Sequence, residues 1–397
     1  MTPPAGVTPG ALPDRADVVV VGGGAVGTSI AFHLAEAGVD VVLVDRGDLG
    51  GGSTCKAAGG VRAQFSDPVN VQLGLRSLAA FEDFPRRPGQ AIDLHQPGYL
   101  LLVTDPDDVP VFTQAVALQN RLGVPSRLLD RGEAAALAPG VVTSDVLVAA
   151  YHARDGYCSP ESVVLGYATG ARRLGATVLP HVAVTGIETS DGAVRAVRTS
   201  AGRVTTAAVV CAAGAWSAGV AGLAGTGLPV VPLRRQILVT EALAPAAQAL
   251  LPATMPMTID VSSTFYLHRE GPGVLFGMSW RGEQPGEHLA YSDDWLPDLA
   301  EAMDRRCPSL ADVGIAARWA GLYEVTPDHN GLVGESREVS RFLYATGFSG
   351  HGFLQAPAVG EVVRDLYLRR TPAVDVTPLS ADRFRTGAGH RPEHAVV

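Results

Sequence analysis

The stretch that decides the fold is Asp17-Val18-Val19-Val20-Val21-Gly22-Gly23-Gly24-Ala25-Val26-Gly27. Its run of valines predicts a strand that is buried on both faces of a parallel sheet. The glycines form the pattern G-x-G-x-x-G, and the residues after them favour a helix that ends at Gly38. Gly22 permits the tight turn, Gly24 lets a pyrophosphate approach the backbone, and Gly27 lets the helix pack closely on the strand.

A second strand follows at the right distance. Residues 41–44 are all aliphatic and run into Asp45, which lies 18 residues after Gly27. An acidic side chain at about this spacing meets a ribose hydroxyl, while the N-terminus of the intervening helix offers free N–H groups to phosphate. Together these features favour a dinucleotide-binding site over a turn with a purely structural role.

Composition narrows the class of protein. The chain has 397 residues, 47% hydrophobic and 18% charged, which is enough for about two domains with a large buried sheet. Its net charge of −9 argues against a nucleic-acid partner. Residues 1–14 have no positive segment and no long apolar run, so we expect a disordered tail and not a signal peptide. No apolar run approaches the roughly 20 residues of a membrane helix, so the prediction is a cytoplasmic protein.

The four cysteines do not suggest a metal. They are far apart and include no C-x-x-C pair, so neither zinc nor an iron–sulfur cluster is predicted, and each is expected to be an inert thiol. They are Cys55, Cys158, Cys211 and Cys307.

Two later segments repeat the step from a buried strand into a turn of small residues. The first is a predicted strand over 204–211 that runs into Gly214, and the second is a strand over 341–346 that runs into Gly347-Phe348-Ser349-Gly350-His351-Gly352. Small residues at such turns permit close approach of a ligand to the backbone. A helix follows the second turn, with Pro357 expected near its first turn. The pattern between Gly38 and Gly214 predicts a helix over 162–174 and strands over 177–179, 182–187 and 194–199.

These segments resemble the family of FAD-dependent amine and amino-acid oxidoreductases that includes D-amino-acid oxidase, glycine oxidase, sarcosine oxidase of the beta-subunit type and dimethylglycine dehydrogenase. The matching stretches are the first glycine turn, the loop from Gly52 to Arg62, and the ranges 209–217, 321–328 and 347–352. The resemblance implies an α/β fold in which a discontinuous Rossmann-type domain binds FAD and a smaller α+β domain, built on an antiparallel sheet, binds substrate. The expected FAD-binding segments are 15–88, 150–220 and 320–370, the substrate domain is 89–149 and 221–319, and 371–397 is a C-terminal extension.

The resemblance also implies which residues contact FAD. The first glycine turn and Asp45 would hold the ADP half, Val182 would meet the adenine, and the helix after His351 would face the pyrimidine edge of the flavin. A helix N-terminus there would favour the negative charge that the flavin gains on reduction. The expected contacts are Gly22, Gly24, Ala25, Val26, Asp45, Arg46, Ser53, Thr54, Lys56, Ala58, Gly59, Gly60, Val182, Ala213, Gly214, Gly321, Gly347, Gly350, His351, Gly352, Phe353 and Leu354.

Two departures from the family concern the flavin tether. Sarcosine oxidases attach the flavin to a cysteine whose place is taken here by Gly321, and dimethylglycine dehydrogenases attach it to a histidine whose place is taken by Lys56, the chain's single lysine. Neither replacement can form the family's bond, so we expect dissociable, non-covalent FAD.

The predicted substrate site also departs from the pattern of the family. The resemblance places a carboxylate-binding arginine at Arg62, nine residues after Ser53, and a guanidinium suits this task. A second cation in such sites would fall where this chain has Leu354. The acid is therefore held by Arg62 alone, or the substrate carries no acid there. The alternative for Arg62 is an ion pair with pyrophosphate or with a surface carboxylate.

The other catalytic candidates each have a second interpretation. Tyr323 and Tyr266 are either pocket residues or ordinary half-buried aromatics. His351 is expected to be a hydrogen-bonding residue beside the flavin and not a general base, since hydride transfer from a neutral amine needs none. Lys56 contacts the flavin or its phosphate, or is there by chance. Strand alternation predicts that His268 faces the same side as Tyr266.

We therefore expect FAD-dependent oxidation of a C–H bond next to the amine of an N-alkyl or cyclic amino acid, with hydride passing to flavin N5. The acceptor is O2 or another carrier; the lysine that would assist oxygen falls near Leu275, and none is present there. One alternative is an FAD-dependent 2-hydroxy-acid dehydrogenase, and another is a non-catalytic flavoprotein subunit or assembly factor. No metal, nucleic acid or membrane is expected, and an oligomer or a complex with another subunit is compatible with the sequence.

Overall fold

The computed structural model describes residues 11–385 and 392–393. Most of the predicted tail, residues 1–10, lies outside the described residues. Of the remaining four, Leu12 packs against the core and Asp14 accepts a backbone hydrogen bond from Thr205 at 2.8 Å. Ordered packing therefore begins before residue 15.

The strands of the described chain are numbered in order. They are β1 (Val18–Val21), β2 (Val41–Val44), β3 (Gly60–Val61), β4 (Tyr99–Val103), β5 (Arg127–Leu129), β6 (Val148–His152), β7 (Gly156–Tyr157), β8 (Thr177–Leu179), β9 (Val184–Ser190), β10 (Ala193–Thr199), β11 (Gly202–Thr205), β12 (Val209–Cys211), β13 (Val231–Thr240), β14 (Met257–Asp260), β15 (Tyr266–Glu270), β16 (Gly273–Met278), β17 (Ile315–Val325), β18 (Leu332–Glu335) and β19 (Phe342–Thr346).

The α-helices of the described chain are numbered in the same way. They are α1 (Ala25–Glu36), α2 (Pro68–Asp83), α3 (Asp108–Arg121), α4 (Arg131–Leu137), α5 (Pro160–Arg173), α6 (Ser217–Leu223), α7 (Pro245–Leu250), α8 (Leu296–Arg306) and α9 (Gly352–Tyr367).

The first large sheet has six strands in the order β18-β19-β12-β1-β2-β8, parallel except for β18. Its central strand is buried on both faces, as the valine run predicts. Val18 and Val20 face the layer that contains α1, α2, α5 and α9, while Val19 and Val21 face the three-stranded sheet β9–β11. All six strands lie within the segments expected to bind FAD.

The second large sheet has eight strands in the order β17-β13-β16-β15-β14-β4-β6-β5. Its pairs are antiparallel except for β14 with β4. The predicted fold class, a parallel FAD-type sheet plus a mostly antiparallel one, is therefore confirmed. The exact domain limits stay a prediction, and β6 and β17 cross the expected boundaries at residues 150 and 320.

Some predicted elements differ from the structure. The single strand expected over 204–211 is two strands, β11 and β12, because the chain turns at Thr206, whose hydroxyl donates to the carbonyl of Asp17 and accepts from the N–H of Ala208. β9 also begins later and ends later than predicted. Pro357 is the sixth residue of α9 and not in its first turn, so the carbonyl of Phe353 loses its usual helical partner.

Within the described chain, no helix combines the length and the apolar character needed to cross a bilayer. The cytoplasmic location stays a prediction.

A substitution at the contact between α1 and α9 would test how closely the FAD-type domain is packed. A methyl group added at Gly360 would overlap the hydroxyl of Ser29 and lie 2.9 Å from the carbonyl carbon of the same residue. We expect Gly360→Ala to lower the free energy of unfolding by about 1–3 kcal/mol, although alanine has the better helix propensity by about 1 kcal/mol. Gly222→Ala is the control because no atom lies within 4 Å of that position. Urea unfolding measures both variants, and equal stability would contradict the packing argument.

Candidate active site

One cavity of about 730 Å³ lies where the two large sheets meet. It runs from the first glycine turn, past the end of β12, to the turn that precedes α9. Every sequence-predicted site residue lines it except Gly347. The N–H of Gly347 donates to Glu324 at 3.0 Å, and the residue adopts a φ of +70°, so its place in the structure is that of a turn residue.

The glycine turn forms one end of the cavity. Gly22 has a φ of +112°, and a side chain there would overlap the carbonyl of Ala212. Gly24 is the N-cap of α1 and provides no side chain for capping, so the first turn of the helix points N–H groups toward the cavity. One of them, the N–H of Ala25, donates to the hydroxyl of Thr54 at 3.1 Å. The N–H groups of this turn would attract a pyrophosphate, and the absence of side chains at the glycines leaves space for it.

Asp45 lies at the same end of the cavity as the glycine turn. Its carboxylate accepts hydrogen bonds from the N–H groups of Gly23 at 2.6 Å and Gly47 at 2.8 Å, so it joins the glycine turn to the loop after β2. Its backbone carbonyl accepts from the N–H of Val182 at 2.7 Å. Because that N–H is used, the predicted contact of Val182 with adenine would rest on its carbonyl. Arg46 lies over the ring of Trp216 at 4.2 Å, which fixes a cation beside the cavity.

The turn before α9 forms the opposite end. Gly350 has a φ of +100°, and a side chain there would lie 2.6 Å from the ring of Tyr323. Ser349 adopts a φ of +52° and accepts a hydrogen bond from the N–H of Thr326 at 3.2 Å. His351 is the N-cap residue of α9 and packs edge-on against Phe65 at 5.1 Å. The helix N-terminus therefore faces the cavity through Gly350.

Side chains of the eight-stranded sheet form the roof. They come from alternate positions of β4, β13, β14, β15 and β17, as expected when one face of a sheet covers a cavity. They are Tyr99, Arg235, Ile237, Met257, Ile259, Tyr266 and Tyr323. Burial raises the pKa of all three tyrosines above the ordinary value, so the phenols stay neutral and can act as hydrogen-bond donors.

Arg62 follows β3 and reaches the cavity from the side of the FAD-type domain. Its side chain is almost fully buried, lies over the ring of Phe65 at 4.2 Å and donates to the carbonyl of Gln64. The segment is held by Asp155, which accepts from the N–H of Ala63 at 2.9 Å and from the amide of Gln64 at 3.2 Å. Asp155 also bonds His152 at 2.6 Å. This buried network fixes the position of the arginine.

Lys56 and Gly321 are neighbours in space. A side chain on Gly321 would lie 2.9 Å from Cβ of Lys56, and the ammonium group of Lys56 donates to the carbonyl of Gly51 at 2.9 Å. The indole of Trp319 donates to the carbonyl of Lys56 at 3.0 Å. The two positions at which the resemblance places flavin tethers are therefore side by side on the cavity wall, and neither has a cysteine or a histidine.

His268 does not reach the cavity. Its ring stacks on Tyr157 at 4.2 Å and contacts the carbonyls of Ala58 at 3.0 Å and Arg269 at 2.7 Å. Burial lowers the pKa of His268 to about 4, so the ring is neutral and donates to one of these carbonyls. Its place is structural, since it ties the loop at Ala58 to the second sheet.

The cysteines are all free thiols. Burial raises the pKa of Cys55 and of Cys211 to about 11, and raises the pKa of Cys158 and Cys307 as well. Each therefore stays protonated near neutral pH, which agrees with their interpretation as unreactive residues.

Sequence reasoning missed most of the roof residues, among them two that carry polar groups, Arg235 and Tyr99. Arg235 stands on β13, where Leu233, Ile237 and Val239 occupy the alternate positions of the same face. A charged residue within an otherwise apolar alternation is a signal that one face meets something polar. Tyr99 begins a strand of five buried residues, and nothing in that run marks the tyrosine as a cavity residue.

Comparisons with known proteins agree with this geometry. The L-proline dehydrogenase of P. horikoshii shares 31% identity, with a TM-score of 0.89 over 96% of this chain and 100% of that one. The glycine oxidase of Geobacillus kaustophilus shares 27% identity, with a TM-score of 0.82 over 94% of this chain and 99% of that one. Mouse mitochondrial dimethylglycine dehydrogenase is 32% identical over 94% of this chain. The chain spans 44% of that relative, less than half its length.

A family model described as "FAD dependent oxidoreductase" matches residues 17–366, nearly the whole described chain. With the glycine turn, the two sheets and the cavity between them, this match confirms the predicted family. The chain belongs to the DAO family of FAD-dependent oxidoreductases.

Proposed function

We propose that this protein oxidises the C–H bond next to the nitrogen of an N-alkyl or cyclic amino acid. The observation that carries the proposal is the placement of Arg62, a buried guanidinium on the cavity wall beneath a roof of neutral tyrosines. The similarity to L-proline dehydrogenase and to dimethylglycine dehydrogenase, whose names specify a cyclic and an N-methylated amino acid, supports the same class of substrate.

FAD, when bound, supplies the hydride acceptor at flavin N5, and the oxidised substrate leaves as an imine that water hydrolyses. The chain's own residues bind and orient the amine. Arg62 would hold the carboxylate, and Tyr323 and Tyr266 would donate hydrogen bonds without removing a proton, because burial keeps them neutral. The sheet roof excludes water. No general base is needed if the neutral amine is the form that reacts, so His351 would act as a hydrogen-bonding residue beside the flavin.

The electron acceptor in this proposal is a carrier other than oxygen. Leu275 lies in the buried core of the second sheet, in register with His268, and neither residue can present an ammonium group to the flavin. The chain's only lysine, Lys56, is bound to the carbonyl of Gly51. These observations favour a dehydrogenase over an oxidase.

The first prediction of this proposal concerns attachment of the cofactor. We expect the purified protein to be yellow and to release intact FAD on acid precipitation, because Gly321 offers no side chain and Lys56 replaces the histidine of the tethered relatives. Absorbance of the supernatant at the flavin bands measures the release. Flavin that stays with the pelleted polypeptide would contradict non-covalent binding.

The second prediction concerns the cradle at the glycine turn. We expect Gly24→Val to abolish FAD binding, because its side chain would stand about where a pyrophosphate meets the first turn of α1, 3.1 Å from the hydroxyl of Thr54. Flavin content per folded chain is the measurement. Gly222→Val is the matched control, since no atom lies within 4 Å of that position. Normal flavin occupancy in folded Gly24→Val would refute the assignment of the ADP site.

The third prediction concerns substrate recognition. Arg62→Ala would leave a buried carboxylate without its charge-assisted partner, at a cost on the order of 2–5 kcal/mol, or tens to thousands of times in the efficiency of flavin reduction. We expect this loss for an amino-acid substrate and little change in FAD affinity. The methyl ester of the same substrate should react alike with both proteins.

Anaerobic stopped-flow reduction with the acid and the ester provides the test. Arg318→Ala is the control, because this arginine stands on β17, does not line the cavity and has a side chain that is 58% exposed. Equal losses for acid and ester in Arg62→Ala would mean that Arg62 supports the flavin or the fold. In that case it would not recognise a carboxylate.

A further inference from the structure

The cavity contains a second, half-buried cation that the proposed reaction has not used. Arg235 stands on β13 and its side chain lines the cavity. Its Nε is buried without a hydrogen-bond partner, and its Nη1 donates to the carbonyl of Arg234 at 3.0 Å. In the described part of the chain, no carboxylate lies within salt-bridge distance of it. Glu283, the acid whose charge acts on Arg235, is bound to Arg234 at 2.8 Å instead.

Two buried arginines, Arg306 and Arg383, show how a structural guanidinium is satisfied in this protein. Arg306 pairs with Asp145 at 2.8 Å and with Asp260 at 3.2 Å. Arg383 pairs with Asp328 at 2.7 Å and donates to the carbonyl of Asn330 at 2.9 Å. Each has a carboxylate on the protein itself. Arg235 has none among the described residues, and burial lowers its pKa because the neighbouring groups do not make up for the lost hydration.

The surroundings of Arg235 do not supply the missing negative charge. Its guanidinium lies over the ring of Tyr323 at 5.2 Å and acts on the hydroxyl of Tyr266. Both phenols are neutral, since burial raises the pKa of each. They can stabilise a cation through the ring face and can donate to an anion, but they are not counter-ions themselves.

Arg62 and Arg235 occupy two separate places in the cavity. Arg62 follows β3, is fixed over Phe65, and acts on the hydroxyl of Tyr99. Arg235 comes from the roof and acts on Tyr266. Both guanidinium groups act to lower the pKa of Tyr323, so both lie near its hydroxyl. One small carboxylate bound at Arg62 would therefore leave Arg235 uncompensated.

We propose that Arg235 binds a second carboxylate of the substrate, so that the cavity accepts an amine carrying two carboxylates. Arg62 would hold one carboxylate and Arg235 the other, with the hydroxyl of Tyr323 near both. The inference rests on the proposed function for the identity of the substrate as an amine. The placement of two charges rests only on the geometry of the cavity. An anion at Arg235 offsets the cost of a desolvated guanidinium, which no residue described around it does.

Equilibrium binding of simple acids tests this without turnover. The flavin-loaded protein is titrated with pairs of equal chain length, propionate and malonate, butyrate and succinate, pentanoate and glutarate, while the absorbance of the bound flavin is followed. We expect the wild-type protein to bind at least one diacid about tenfold or more tightly than its matched monoacid. Arg235→Gln should abolish this preference and leave the Kd of the monoacid unchanged. Arg235→Lys, which keeps the charge, should retain part of it.

Arg318→Gln, an exposed arginine on the neighbouring strand, is the control and should keep the full preference. The proposal is overturned if no diacid is preferred by the wild-type protein or if Arg235→Gln keeps the preference. It is also overturned if Arg235→Gln weakens the monoacid and the flavin together, since Arg235 would then support the fold or the cofactor. A diacid preference that depends on Arg235, in a protein whose flavin no amine reduces, would uphold the two-carboxylate site and refute amine oxidation.

Discussion

The whole arrangement depends on one close approach, where β1, α1 and the end of β12 meet without side chains between them. A Cβ on Gly27 would overlap the carbonyl of Gly22, and a Cβ on Gly22 would overlap the carbonyl of Ala212. Only glycine lets the helix begin this close to the strand end. Because α1 starts here, the N–H groups of its first turn face the cavity and not the core. The anion site is thus a consequence of backbone packing.

The second sheet covers the space beside this anion site and so encloses the cavity. Its roof covers the cavity with side chains from alternate positions, so residues that face the flavin side are separated by residues that pack into the domain behind them. β17 connects the roof directly to the FAD-type domain. It pairs Gly321 with Arg235 on β13, and Gly321 itself lies against Lys56 of the FAD-type domain. The absence of a side chain at Gly321 allows the roof to approach the loop that carries the lysine.

Much of the fold was predictable because it follows from local patterns. The valine run, the glycine spacing and Asp45 require only neighbouring residues to be recognised, and they predict the parallel sheet and the end of the cavity correctly. The break at Thr206 was not predictable in this way, since it depends on a hydrogen bond to Asp17, 189 residues earlier. Likewise, Gly347 looked like a ligand contact because it lies in a glycine turn, whereas Glu324 from another strand takes its N–H.

Arg235 shows most clearly what sequence could not supply. Arg234 and Arg235 are adjacent and chemically identical, yet strand alternation turns the first toward Glu283 and the second into the cavity. The sequence alone does not show which of the two arginines faces the cavity. The surroundings of each face of β13 are set by its pairing with β16 and β17 in the folded sheet. The difference between a structural ion pair and a cation without a protein counter-ion arises only when both sheets are in place. The unpaired charge of Arg235 therefore bears on the substrate, whereas the glycine motif bears only on the cofactor.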